Sequence, residues 1–262
     1  SDVYKRQVSY VTDISNEFIP YSDGLQLKLR NVILKGYLDD IKVINQLNQE
    51  YRDSINNFIK KNNLEIDLIA MHGQTVYHDQ KTKISIQLFD KSIRFNTNSP
   101  VICNFRKNDL LNGGNGAPIM PEFHRVLANQ LDLKKVIFVN IGGVTNITVI
   151  DNQKITAGDS SFGNAIVNDL IYEKTKERFD VDGSLSNNGQ KIDVLFKRII
   201  SDKYFLEKLP KSLDRNYFHK YIDNSNKDKN LNDLIYTLLE VIPFAINSVS
   251  YTHLTLPTIL LV

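Results

Sequence analysis

The sequence predicts an α/β protein in two lobes, and three observations point to that class. Short apolar runs of strand length end in polar residues or glycines, amphipathic runs at three- and four-residue spacing separate them, and this order occurs twice. The division is expected near Leu131 to Lys135, giving an N-terminal lobe over 8–132 and a C-terminal lobe over 133–249.

From Leu25 to Lys60 the apolar residues recur at helical spacing: Leu25, Leu29, Val32 and Ile33, then Ile44, Leu47, Ile55, Phe58 and Ile59. The period then changes. Ile66 to Met71 has the form of a buried strand that delivers His72 and Gly73 at its C-terminal edge, Ile84 to Leu88 alternates apolar with polar, and Val101 to Phe105 follows Pro100 as a third strand. Asn112 to Pro118 is a glycine-rich loop, and Pro121 to Leu131 reads as the helix after it. Lys135 to Asn140 is the clearest buried strand, followed by Ile141-Gly-Gly and a further strand over Thr145 to Ile150. A second turn is expected at Gly158 to Asn164, ahead of a helix over Ala165 to Lys176 with Ile166, Val167, Leu170 and Ile171 on one face. Helices dominate from there, the last over Asn232 to Val249. The alternating, Pro-containing tail from Ser250 continues no helical pattern, so residues 1–7 and 250–262 are expected to be non-native flanks and are left out of the fold reasoning.

With 262 residues, 42% hydrophobic and 24% charged, the chain has the make-up of an ordinary globular protein. Its 32 basic and 30 acidic residues are spread evenly, for a net charge of +2, so no basic stripe suggests nucleic acid as a partner. A single cysteine, Cys103, has no internal disulfide partner and reads as a small buried hydrophobe, which fits a reducing cytoplasm. No stretch approaches the roughly 20 apolar residues of a membrane span, and no membrane partner is expected.

Several short constellations carry chemistry. Gly142-Gly143 directly after a strand lets backbone N–H groups approach a phosphate, with Asn140, Thr145 and Asn146 around the same turn. By itself that is also a plain tight turn, and neither a P-loop nor a Rossmann fingerprint is present. Asp159 is expected on a loop between Gly158 and Ser160-Ser161, with Gly163-Asn164 at a helix start. There it could act as a general base while backbone amides receive an anion, or merely cap local N–H groups. His72 and His78, six apart around a polar turn, lack the helical spacing of a metal pair, and no metal ligands are assigned. Gln74 and Thr75 suit sugar hydroxyls and Arg106 suits a bidentate clamp on a carboxylate or phosphate, although each alone is an ordinary strand-end polar residue. Lys211 to Arg215 reads as a solvated turn after Pro210.

In order, these segments resemble one family, the anhydro-N-acetylmuramic acid kinases, from about Tyr10 to Val249. His72-Gly-Gln-Thr is similar to its HGQT segment, and Asn104-Phe-Arg106 with Gly113-Gly-Asn-Gly-Ala-Pro118 to its DFR and GGxGAP. Asn140-Ile-Gly-Gly resembles its NIGG turn, Asp159-Ser-Ser-Phe-Gly-Asn164 its DTGPGN, Phe179-Asp-Val-Asp-Gly183 its FDxDG, and Pro210-Lys-Ser-Leu-Asp-Arg215 its PKSxxR. The resemblance implies an actin-like, ribonuclease H-like fold in two lobes, with ATP and sugar meeting between them. It implies an ATP- and Mg²⁺-dependent kinase that opens the 1,6-anhydro ring of anhydro-N-acetylmuramic acid and phosphorylates O6 in cell-wall recycling. Asp159 would then be the catalytic base, aimed into the crevice between the lobes. His72, Gln74, Thr75, Arg106, Gly116, Ala117 and Pro118 would line the sugar side, and Asn140, Gly142, Gly143, Asn146, Gly163 and Asn164 would face the nucleotide.

This sequence also departs from the family. Its opening GTSxDG loop has no counterpart before Tyr10 and its later glycine-rich segment would lie beyond Val249, so this polypeptide is expected to hold ATP poorly and to be poorly soluble or only partly folded. Asn104 replaces an Asp, Leu111-Asn112 replace small residues, and Ser161-Phe162 replace Gly-Pro. Two other readings stay open: a sugar-binding actin-like module without catalysis, and an actin-like ATPase with no sugar substrate. A homodimer is compatible with the sequence but not specified by it.

Overall fold

The computed structural model describes residues 15–35, 40–79, 81–90, 92–222, 229–253 and 259–261, as a mixed α/β chain. The flank 1–7 lies outside the described residues. The chain divides into two compact units, 12–116 and 117–262, the latter grouped with residues 1–11.

In the first unit, helices α1 (Asp23–Lys35) and α2 (Ile41–Lys61) turn Leu25, Leu29 and Val32 toward Val43 and Leu47. Asp40 starts α2 by accepting the Lys42 N–H at 2.8 Å, which satisfies one of the donors a helix start leaves open. Strand β1 (Ile69–Met71) pairs in parallel with β4 (Val101–Cys103), while β2 (Gln74–Asp79) pairs antiparallel with β3 (Ile84–Leu88). Val76 and Leu88 of that hairpin complete the apolar cluster of α1 and α2. The stretch after His72, expected as a polar turn, is therefore strand: Val76 is buried, its neighbour Tyr77 is exposed, and the partner β3 takes up the backbone groups. Helix α3 (Phe105–Leu111) follows, entered through Asn104 at φ 62°, a left-handed conformation that Asn tolerates better than most residues.

The second unit begins with helix α4 (Pro121–Gln130), which packs Ala128 against Val136, Phe138 and Ile150. That packing moves the division from the expected Leu131–Lys135 to Gly116–Ala117, because α4 buries its apolar face on the sheet that follows it. Strands β5 (Lys135–Ile141), β6 (Val144–Asp151) and β7 (Lys154–Phe162) form an antiparallel meander. On the far edge of β5, β8 (Ile259–Leu261) adds in parallel, for the order β7-β6-β5-β8. On the other face, helices α5 (Asn164–Thr175), α6 (Asp193–Ile200) and α7 (Leu231–His253) cover Ile137, Val139, Ile147 and Val149. With both faces covered, β5 is a continuous apolar run with no alternation, which is why it is so visible in the sequence.

Two further expectations are corrected. The expected turn at Gly158 to Asn164 is the end of β7, which continues to Phe162 because β6 pairs with it throughout. Ser250 to His253 extend α7 and 259–261 join the sheet, so these described residues of the tail take regular structure. No described helix is long and apolar enough to cross a membrane.

Candidate active site

In the second unit the strand register does what sequence spacing could not show. Asn140 of β5 lies opposite Asn146 of β6, and Asn146 lies opposite Asp159 of β7, so three expected site residues form one row across three strands. Residues paired in this way share a face of the sheet. The register shifts between Thr145 and Asn146, an irregularity of the β-bulge kind beside Asp159. Asp159 therefore sits on a strand, not the expected loop, and it is only 8% exposed.

Its surroundings hold it from several sides. The Leu213 N–H donates to Oδ2 at 2.8 Å, the Asp159 N–H donates to the Lys211 carbonyl at 2.8 Å, and the Tyr204 hydroxyl donates to the Asp159 carbonyl at 2.7 Å. Burial, with the Asp159 carboxylate beside it, pushes the Tyr204 phenol up, so it remains a proton donor at any physiological pH. Gly158 is needed for the close approach: a Cβ there would stand 2.6 Å from the Lys211 carbonyl oxygen. The segment expected as a solvated turn is thus largely buried, with Lys211 8% and Leu213 9% exposed, and Arg215 pairs with Asp169 of α5 at 2.8 Å. Tyr204, Lys211 and Leu213 were not expected site residues. Only the Lys-Ser-Leu-Asp-Arg wording marked that region.

The glycine turn joins the same neighbourhood. The Gly142 carbonyl accepts the Asn164 N–H at 2.8 Å, and the Gly143 carbonyl accepts those of Gly163 at 3.0 Å and Ala165 at 3.2 Å. These backbone amides of Gly163 and Asn164 at the start of α5 are therefore bonded to the turn and not presented to an anion, as had been expected. A Cβ on Gly163 would collide with the Gly142 carbonyl, so that glycine is a packing requirement. Gly142 and Gly143 differ: an added Cβ would meet nothing closer than 3.6 Å and 3.4 Å, respectively. Crowding does not demand glycine at either place, which fits a turn kept bare for a ligand such as a phosphate.

In the first unit, Arg106 is a brace. Its Nε donates to His72 Nε2 at 3.1 Å and its Nη1 to the Gly116 carbonyl at 2.9 Å. His72 Nδ1 faces the Gly73 carbonyl at 2.9 Å, so its proton belongs on Nδ1 and Nε2 accepts from Arg106. Partial desolvation and, after it, the adjacent guanidinium lower the His72 pKa and keep the ring neutral. The bidentate clamp expected of Arg106 is thus partly committed to its own neighbours. Asp109, one turn further along α3, accepts the Gly116 N–H at 2.7 Å, so both backbone groups of Gly116 are bound by side chains of one helix. Gly116 has φ +68° and packs on Leu110 and His78. Gln74 and Thr75 start β2 beside this cluster, while Ala117 and Pro118, joined by a cis peptide bond, open the second unit. Among the described residues no group of three His, Cys, Asp or Glu is placed to hold a metal ion.

Comparison with known proteins agrees with these motifs. The anhydro-N-acetylmuramic acid kinase family matches residues 3–260. Curated relatives named anhydro-N-acetylmuramic acid kinase include one from Methylobacterium nodulans, 37% identical over 64% of this chain and 46% of the relative. Another, from Pelagibacter ubique, is 33% identical over 70% of this chain and 51% of the relative, and one from Photobacterium profundum is 31% identical over 76% and 56%. The chain spans about half the length of the curated relatives it matches.

Proposed function

Because this chain belongs to the anhydro-N-acetylmuramic acid kinase family, we propose that the protein carrying it is a cytoplasmic kinase with a two-lobed, actin-like fold. Its substrate would be anhydro-N-acetylmuramic acid, whose 1,6-anhydro ring it opens while phosphorylating O6, to give N-acetylmuramic acid 6-phosphate for cell-wall recycling. The supporting observation is the row Asn140–Asn146–Asp159, with a buried, firmly held carboxylate near a turn left bare at Gly142 and Gly143.

ATP would supply the phosphoryl group, and Mg²⁺ bound with it would supply charge neutralisation for the transfer. Asp159 takes the proton of a water attacking the anomeric carbon, the electrons of the broken C1–O6 bond pass to O6, and O6 bonds to the γ-phosphorus as its bond to the β-phosphate oxygen breaks and ADP leaves. Fixing Asp159 by the Leu213 N–H supplies the pre-positioning on which such a base depends. Gly142 and Gly143 offer their backbone to the phosphates, with Asn140 and Asn146 beside them. On the sugar side, Arg106 holds His72 neutral and fixes Gly116, leaving Gln74 and Thr75 to meet hydroxyl groups.

The test uses the complete gene product that carries this sequence. ATP consumption should require the anhydro-sugar, and ³¹P NMR should show a 6-phosphate. Sugar binding without turnover would replace this reading with the non-catalytic module, and turnover of ATP that ignores the sugar would replace it with an ATPase.

A further inference from the structure

The structure gives Lys211 an unusual seat. It is 8% exposed, its Nζ donates to the Tyr204 carbonyl at 2.7 Å, and it lies 4.0 Å from the centre of the Tyr204 ring. A buried ammonium is costly unless its surroundings compensate it. Here the carbonyl and the ring face compensate it directly, and the carboxylates of Glu207 and Asp159 act on it as well. Burial lowers the lysine pKa, and those two carboxylates offset only part of the lowering.

The bonds around Lys211 close on themselves. The Lys211 ammonium holds the Tyr204 backbone, the Tyr204 hydroxyl holds the Asp159 carbonyl, the Asp159 N–H holds the Lys211 carbonyl, and two residues on, the Leu213 N–H holds the Asp159 carboxylate. Three of these four contacts tie 204, 211 and 213 to Asp159, the fourth joins Lys211 to Tyr204, and the lysine ammonium is the only charged donor among the four. The lysine bond adds to the burial of Leu209 and Leu213 and to the two backbone contacts with Asp159 in seating this segment against β7.

We propose that Lys211 is a positioning residue for Asp159: its bond to the Tyr204 carbonyl helps seat the 209–213 segment against β7 and so sets the Leu213 N–H on the carboxylate. This deepens the reading of Asp159 as the base and depends on it. The experiment compares Lys211→Met, Lys211→Arg and Asp159→Asn in the complete gene product, with kcat, both KM values and the pH profile of kcat, and with thermal melting to confirm folding. Lys211→Met should lower kcat by roughly ten- to a hundredfold, the range that about 1 Å of misplacement costs, with both KM values within about twofold of the parent.

With the segment unseated and the Leu213 N–H no longer held on it, Asp159 loses a donor that favours its charged form, so the acid limb of the profile should move to higher pH. Lys211→Arg retains the charge and should leave that limb in place. A role in stability alone would not move the limb, so a folded Lys211→Met protein with unchanged kcat and limb overturns the proposal. Should Lys211→Met not fold, Tyr204→Phe decides: it removes one bond of the ring, and a kcat equal to the parent's overturns the inference. If Asp159→Asn is fully active, the base assignment itself falls; if it is inactive while Lys211→Met is unaffected, only the role of Lys211 falls.

Discussion

Asp159 and Arg106, the two side chains with the most chemistry to offer, are held in place by different means. Asp159 takes its bonds from Tyr204 and Leu213, which lie 45 and 54 residues further along the chain, inside the larger apolar core of the second unit. Arg106 projects from a helix of seven residues and reaches Gly116 ten residues on, at the surface of the first unit. On the proposed reading the contrast has a reason: a base must be held closely in place, as a core can hold it, while groups that meet a sugar tolerate a local, more open mounting.

That contrast can be broken or sharpened by substitution. The largest effect is expected for Asp159→Asn, which removes the proton acceptor while keeping its shape; kcat should fall by roughly 10²–10⁴-fold at nearly constant KM in a coupled ATP assay. Arg106→Ala should act on binding instead, raising the KM for the sugar by roughly 10–100-fold through lost charge-assisted bonds while the KM for ATP stays within about twofold. Equal effects on both KM values would erase the distinction between the two regions.

Stability offers a third comparison. Asp202 is 7% exposed and its carboxylate receives Tyr217, Tyr221, the Tyr204 N–H and the Lys220 ammonium. Burial alone would raise its pKa, but these donors, Lys220 first, outweigh burial and lower it from 3.8 to about 2. A carboxyl depressed in the folded state contributes stability that is complete above its unfolded pKa and is lost as pH falls through the folded one. Asp202→Asn should therefore cost about 2 kcal/mol at pH 7, with the gap to the parent closing between roughly pH 4 and 2 in denaturant titrations. The smallest effect, about 1–2 kcal/mol, is expected for Gly116→Ala. Its φ of +68° strains any side chain, and the added carbon would stand 2.8 Å from Leu110 Cγ. Melting of the first unit should register it, with the second unit unaffected.

Much of this was visible in the sequence where periodicity is strong. The apolar run Val136–Val139 and the helical spacing in α1, α2 and α5 announce themselves, because burial on a face leaves a period behind. The misreadings share one cause. Gly158 to Asn164 and Lys211 to Arg215 have the glycine, hydroxyl and charged composition of turns, and what makes one a strand and buries the other is pairing with β6 and with Tyr204. No local pattern encodes a partner that far away. Asn140, Asn146 and Asp159 were each expected at the site, but their lying in one row depends on register, which only the folded sheet fixes.

The bonds from the start of α5 to the carbonyls of Gly142 and Gly143 give the molecule a mechanical linkage. Because α5 also carries Asp169, which grips Arg215, the glycine turn, the helix and the segment whose Leu213 N–H holds Asp159 are consecutive links of one chain of contacts.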